Sequence, residues 1–118
     1  MSPIPPKLYG IANCDTIKKA KKWLDSRDIA YEFHDYRKQG LDMALLQSLE
    51  SALGWEVMVN RRGTTWRALP DALKDGIDRD SALQIMLDSP AIIKRPILAI
   101  ENRLLIGFND QQYQEIFN

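Results

Sequence analysis

YGIANCDTIKKAKKW, residues 9–23, changes its period in the middle, and that change decides the fold. Before it, KLYGI (7–11) reads as a short strand that closes at Gly10 and the Ala-Asn before Cys14. From Asn13, a plausible N-cap, the pattern becomes helical, with Ile17, Ala20 and Leu24 recurring at i, i+3 and i+7. A strand thus runs through one cysteine into a basic amphipathic helix.

Outward from this unit the elements follow in order. AYEFHDY (30–36) alternates and is rich in aromatics, which predicts a second strand. LDMALLQSLESALGW (41–55) predicts a helix with Asp42 as cap, an apolar stripe of Leu45, Leu46, Leu49 and Leu53, and Gly54 as stop. Trp55 to Ile77 predicts short helical pieces around a turn at Gly63. SALQIMLDSP (81–90) predicts a helix opened by a Ser81/Gln84 capping box and ended by Pro90. PILAIENRLLIGF (96–108) predicts a hairpin about Glu101-Asn102, and NDQQYQEIF (109–117) a last helix capped by Asn109 or Asp110.

The first strand–helix–strand unit calls for a parallel crossover and the late hairpin for antiparallel pairing. The fold class expected is α/β: a thioredoxin-like mixed four-stranded sheet with flanking helices and a helical insertion before the third strand. One domain over 1–118 is expected, with residues 1–6 as an extended proline-rich lead-in and the insertion at about 41–90.

Composition bounds the function. Among 118 residues, sixteen basic balance sixteen acidic, so no global field draws the chain to nucleic acid or a membrane surface. No apolar run approaches the roughly 18 residues of a membrane span. MSPIPPK has neither the basic nor the apolar region of a secretory signal, and one cysteine suits a reducing compartment, so a cytoplasmic location is expected.

Cys14 follows a strand and heads a helix, where unpaired N–H groups and the helix dipole favour thiolate over thiol. Lys18, one turn along, adds to this effect and Asp15 opposes it. The alternative is a small buried hydrophobe, as many free cysteines are. A C-x5-R phosphatase loop would need arginine at position 20, which is Ala20, and one Cys with one His makes no zinc site. His34, on the second strand, reads as a packing or strand-end residue. The clusters NRRGTTWR (60–67) and IIKRPI (92–97) offer arginine forks suited to carboxylates and oxyanions.

LYGIANCDTIKKAKKWL (8–24), DYRKQGL (35–41), NRRGTTWR (60–67) and AIIKRPIL (91–98) together resemble the ArsC/Spx family in its short YffB-like branch. The resemblance implies a thioredoxin fold with a helical insertion. It implies Cys14 as the attacking nucleophile, Arg95 before a cis Pro96 as an anion ligand, and Arg61 as a second, with Arg62 as the alternative register. Family arsenate reductases use glutathione and glutaredoxin to complete the reaction. This chain departs from them in having Gly10 where they carry histidine, and Gly107-Phe108 in the region of their third arginine. Ile17 removes the C-x-x-C switch common among Spx regulators.

The reading that follows is a glutathione-dependent thiol reductase acting through one cysteine on small-molecule or protein mixed disulfides, with no bound cofactor or metal and glutathione as co-substrate. Glutaredoxin is a further expected partner. An Spx-like adaptor that binds the RNA polymerase α-subunit is the alternative, and arsenate reduction a third reading.

Overall fold

A computed structural model describes residues 5–12, 14–101 and 103–117. Strand β1 (Lys7–Gly10) lies inside a sheet of four. It pairs in parallel with β2 (Glu32–Asp35), Leu8 opposite Phe33 and Gly10 opposite Asp35. On its other side it pairs antiparallel with β3 (Ile97–Ile100), which turns back into β4 (Arg103–Ile106). The strand order is β2-β1-β3-β4. This is the thioredoxin-like sheet expected. At the β3–β4 turn Glu101 takes a left-handed φ of 54°. Its expected turn partner, Asn102, lies outside the described residues.

Helix α1 (Asp15–Ser26) supplies the parallel crossover. Its buried Ile17, Ala20, Trp23 and Leu24 follow the period read from the sequence. The expected cap, Asn13, also lies outside the described residues, and Cys14 itself holds the N-cap position. Leu8 and Leu98 from the sheet meet Ala20, Trp23 and Leu24 of α1 and Tyr113 of the last helix in one buried cluster. That helix, Asp110–Phe117, is capped by Asn109, whose Oδ1 accepts the Gln112 N–H at 3.0 Å. The Trp23 indole N–H donates to Asp110 Oδ1 at 2.9 Å, fastening one helix to the other.

The chain forms two compact units: residues up to Lys38 together with those from Arg95 on, and Gln39–Lys94. The second holds α2 (Met43–Leu53), α3 (Trp55–Met58), α4 (Thr64–Ala68), α5 (Asp71–Asp75), α6 (Arg79–Asp88) and a 3₁₀ turn, Pro90–Ile92. The C-terminal helix is accordingly α7. Asp42 caps α2 by accepting the Leu45 N–H at 2.8 Å, and Gly54, at φ 86°, ends it. The buried Glu50 carboxylate accepts from Arg79 Nε at 2.7 Å and from the Trp55 N–H at 3.2 Å, tying α2 to α6.

The expected Ser81/Gln84 capping box is not the one formed. Asp78 is the N-cap, with reciprocal bonds of 2.9 Å between Asp78 and Ser81, and Gln84 reaches along the helix to Asp88. Aspartate caps as well as serine does and comes first in the chain, so the helix starts earlier. Among the described residues, no helix is long and apolar enough to cross a membrane, and no group of three or more His, Cys, Asp or Glu is placed to hold a metal.

Candidate active site

The loop that carries Cys14 leaves the carboxyl end of β1, and β2 pins it from the side. The buried Asp35 carboxylate accepts the Ala12 N–H at 3.3 Å and the Arg37 N–H at 2.8 Å. Burial pushes the Asp35 pKa up, but the N–H groups of Arg37, Ala12 and Lys38, with the Lys38 charge, hold it below the ordinary carboxylate value. A depressed pKa means stability present above the ordinary value and lost as pH falls through the native one. Asp35→Asn keeps only one acceptor oxygen and no charge, so it is expected to cost about 1–2 kcal/mol at neutral pH. The cost should shrink towards zero under acid, where the native carboxyl is protonated too. Urea midpoints of both proteins from pH 7 stepwise down to the acid limit of folding check this, and a difference that widens as pH falls would refute it.

Cys14 is half-buried and extended, with φ −139° and ψ 133°, the backbone of an N-cap. Its side chain makes no capping hydrogen bond. Burial raises its pKa, yet the Ile17 N–H, a hydrogen bond and charge from Arg95, and the Thr16 N–H outweigh this and bring it below the ordinary thiol value. The helix end and one guanidinium therefore act together on one sulfur. Arg95 precedes a cis peptide bond to Pro96, as the resemblance implies. Pro96 is buried, and its carbonyl accepts the Gly107 N–H at 2.8 Å.

One departure from the arsenate reductases, Gly10, and one from the Spx regulators, Ile17, meet in a single packing contact. A Cβ at Gly10 would run into Ile17 Cδ1 and stand 3.0 Å from Ile17 Cγ1, while Ile17 is fully buried. The space that a histidine at position 10 would need is filled by the isoleucine that stands in place of a second cysteine. Gly107, in the region of the missing third arginine, has φ 81°, which favours glycine.

The remaining expected residues divide by unit. Lys18 is exposed on α1, its N–H donating to the Cys14 carbonyl at 3.0 Å. His34 is half-buried and packs on Tyr9, ring centroids 5.2 Å apart. Arg61 and Arg62 belong to the Gln39–Lys94 unit. There, with Lys94, they line a concavity of about 360 Å³. The antiparallel bridge of Val59 with Ile93 holds Lys94 beside them, and Arg61 lies 5.2 Å from the Trp66 ring centroid. Asp35 was not among the site residues read from the sequence. Its signals were a carboxylate at the end of the strand beside β1 and its place at the head of the DYRKQGL block of the resemblance.

The sequence profile of the ArsC family matches residues 9–116. The chain belongs to the ArsC family. An uncharacterized protein of Haemophilus influenzae is 47% identical over 93% of this chain and 96% of its own length. The solved structure of the YFFB (PA3664) protein matches with a TM-score of 0.88 at 44% identity, covering 93% of this chain and 96% of that one. An arsenate reductase (ArsC) related protein from Brucella melitensis gives 0.82 at 42%, covering 99% and 98%. A global transcriptional regulator Spx from Lactiplantibacillus plantarum is 28% identical over 89% of this chain and 80% of its own. This ArsC-family chain is therefore similar both to proteins named for a reductase and to a regulator.

Proposed function

We propose that the chain is a glutathione-dependent thiol reductase acting on mixed disulfides. The observation that carries the reading is the Cys14–Arg95 pair at the start of α1: a sulfur whose thiolate is favoured, with no second cysteine in the sequence. The Cys14 thiolate attacks the glutathionyl sulfur of R–S–SG, forming Cys14–S–SG and releasing the R thiolate. The thiolate of a second glutathione then attacks that glutathionyl sulfur, giving oxidised glutathione and restoring the Cys14 thiolate. The proton shed by the second glutathione ends on the released thiol. Arg95 stabilises the thiolate at both ends of the cycle and holds the glutathionyl group, alongside the backbone at Pro96.

The test is iodoacetamide alkylation of Cys14 against pH, with and without glutathione, in the wild type and in Arg95→Leu. The wild type should titrate below an ordinary thiol and be protected by glutathione. Arg95→Leu removes a charge-assisted hydrogen bond and should slow alkylation at pH 7 roughly tenfold. An ordinary titration without protection would sink the proposal.

A second reading, a regulator acting through its surface, is favoured by the similarity to Spx. It requires that a Cys14→Ala chain capture the RNA polymerase α-subunit as well as the wild type does.

A further inference from the structure

We infer that the lysine face of α1 is a docking surface for an acidic, extended segment of a substrate protein, so that the preferred mixed disulfides are those on cysteines flanked by aspartate or glutamate. The inference rests on the glutathione reading above. Helix α1 carries Lys18, Lys19, Lys21 and Lys22 in a chain whose sixteen basic and sixteen acidic residues balance overall, so the excess is local. Lys18, Lys21 and Lys22 follow Cys14 by four, seven and eight residues, which at 3.6 residues per turn sets them on the side of α1 that Cys14 heads. The Lys18 N–H donates to the Cys14 carbonyl at 3.0 Å, so the first helical turn closes on the cysteine itself.

Those three lysines, with Asp25 and Ser26, line a shallow concavity of about 530 Å³. Lys18 and Lys22 are exposed, while Lys21 is anchored with its ammonium 3.7 Å from the centre of the Phe33 ring on β2. Asp15 and Asp25 stand at the two ends of the helix, yet among the described residues no carboxylate lies within ion-pair distance of Lys18, Lys19, Lys21 or Lys22. Three ammonium groups against one carboxylate make the concavity cationic, and its complement is an acidic chain. A protein whose disulfide reaches Cys14 must lay its flanking residues over a surface beside the thiol, and this face begins there. From Cys14 to Lys22 the helix rises about 12 Å, the reach of roughly four residues of extended chain. Acidic residues within about four positions of the substrate cysteine therefore come opposite the lysines. Each such exposed pair is weak, and several on one segment add up to a preference of roughly tenfold.

The experiment compares kcat/KM for two glutathionylated peptides, alike except that the positions within four residues of the cysteine hold three glutamates in one and three glutamines in the other. Both carry the same glutathionyl group, so their ratio isolates the flanking charge. Wild type should prefer the acidic peptide roughly tenfold at low salt and less than about twofold in 1 M sodium chloride, where screening is nearly complete. Lys21→Gln/Lys22→Gln should lose most of the preference and keep the wild-type rate on the glutamine peptide. Glutamine forms helix about as well as lysine, so α1 is retained. Lys22→Glu, at an exposed position away from the Phe33 ring, should also reduce the preference, and it decides if loss of Lys21 unfolds the double variant. Equal turnover of the two peptides by wild type overturns the inference alone, as does a preference that survives 1 M salt or the substitutions. Wild type that turns over neither peptide overturns the glutathione reading with it.

Discussion

Cys14→Ser is expected to lose thiol transfer by at least about a thousandfold and to be slightly more stable than the wild type. The two effects come from the same N–H groups. Those of Thr16 and Ile17 occupy the second and third positions of α1 and favour a negative sulfur at position 14. The Cys14 side chain makes no capping bond with them, whereas a serine oxygen at the same extended backbone is a favoured cap. The helix end that activates the nucleophile is thus left undercapped by it, and serine should gain about 0.5–1 kcal/mol. Initial rates of glutathione-dependent disulfide reduction and a urea titration of both proteins check this. Activity within tenfold of wild type would remove Cys14 from the nucleophile's role. A lower urea midpoint would mean that the helix start does not address that side chain.

Much of this was legible in the sequence because it is local. The spacing of Ile17, Ala20 and Leu24 fixes which face of α1 is buried, and Asp42 and Gly54 bracket α2 where read. The hairpin and the last helix follow the same logic. Asp35 was not legible, because its role depends on the parallel register that sets it opposite Gly10. No pattern within β2 announces that pairing. Gly10 read as the close of a strand, while the structure ties it to Ile17, seven residues on, whose side chain occupies the volume a Cβ would need. The start of α6 misled for the opposite reason. Two cap-forming residues, Asp78 and Ser81, stand three apart, and local rules alone do not choose between them. Arg61 and Arg62 remain a local donor cluster within their own unit, with Lys94 added by the Val59–Ile93 bridge.

Tyr113→Ala should cost about 3–5 kcal/mol, a fifth or more of the total stability of a typical small domain. Tyr113 is fully buried. Its ring meets Phe108 edge-on at 4.9 Å and Trp23 edge-on at 5.4 Å, and Phe117 stands 6.3 Å away. Removing it empties the centre of the cluster that holds α7 and α1 to the face of Leu8 and Leu98. Tyr113→Phe should behave oppositely. Its hydroxyl has no partner among the described residues, so deleting it removes a buried polar group at no loss of packing, a gain of up to about 1 kcal/mol. Urea titrations of the two variants separate the contributions of ring and hydroxyl. A Phe variant weaker than wild type would show that the hydroxyl is paired, and an Ala variant within 1 kcal/mol would show that α7 adds little to the core. The consequence reaches the site through Trp23, which packs on Tyr113 and bonds Asp110 at the start of α7. Once α7 is loosened, α1 loses its lateral support, and α1 is the helix whose first turn holds the thiolate. Tyr113→Ala should therefore also slow Cys14 alkylation at a urea concentration where wild-type alkylation is still unaffected.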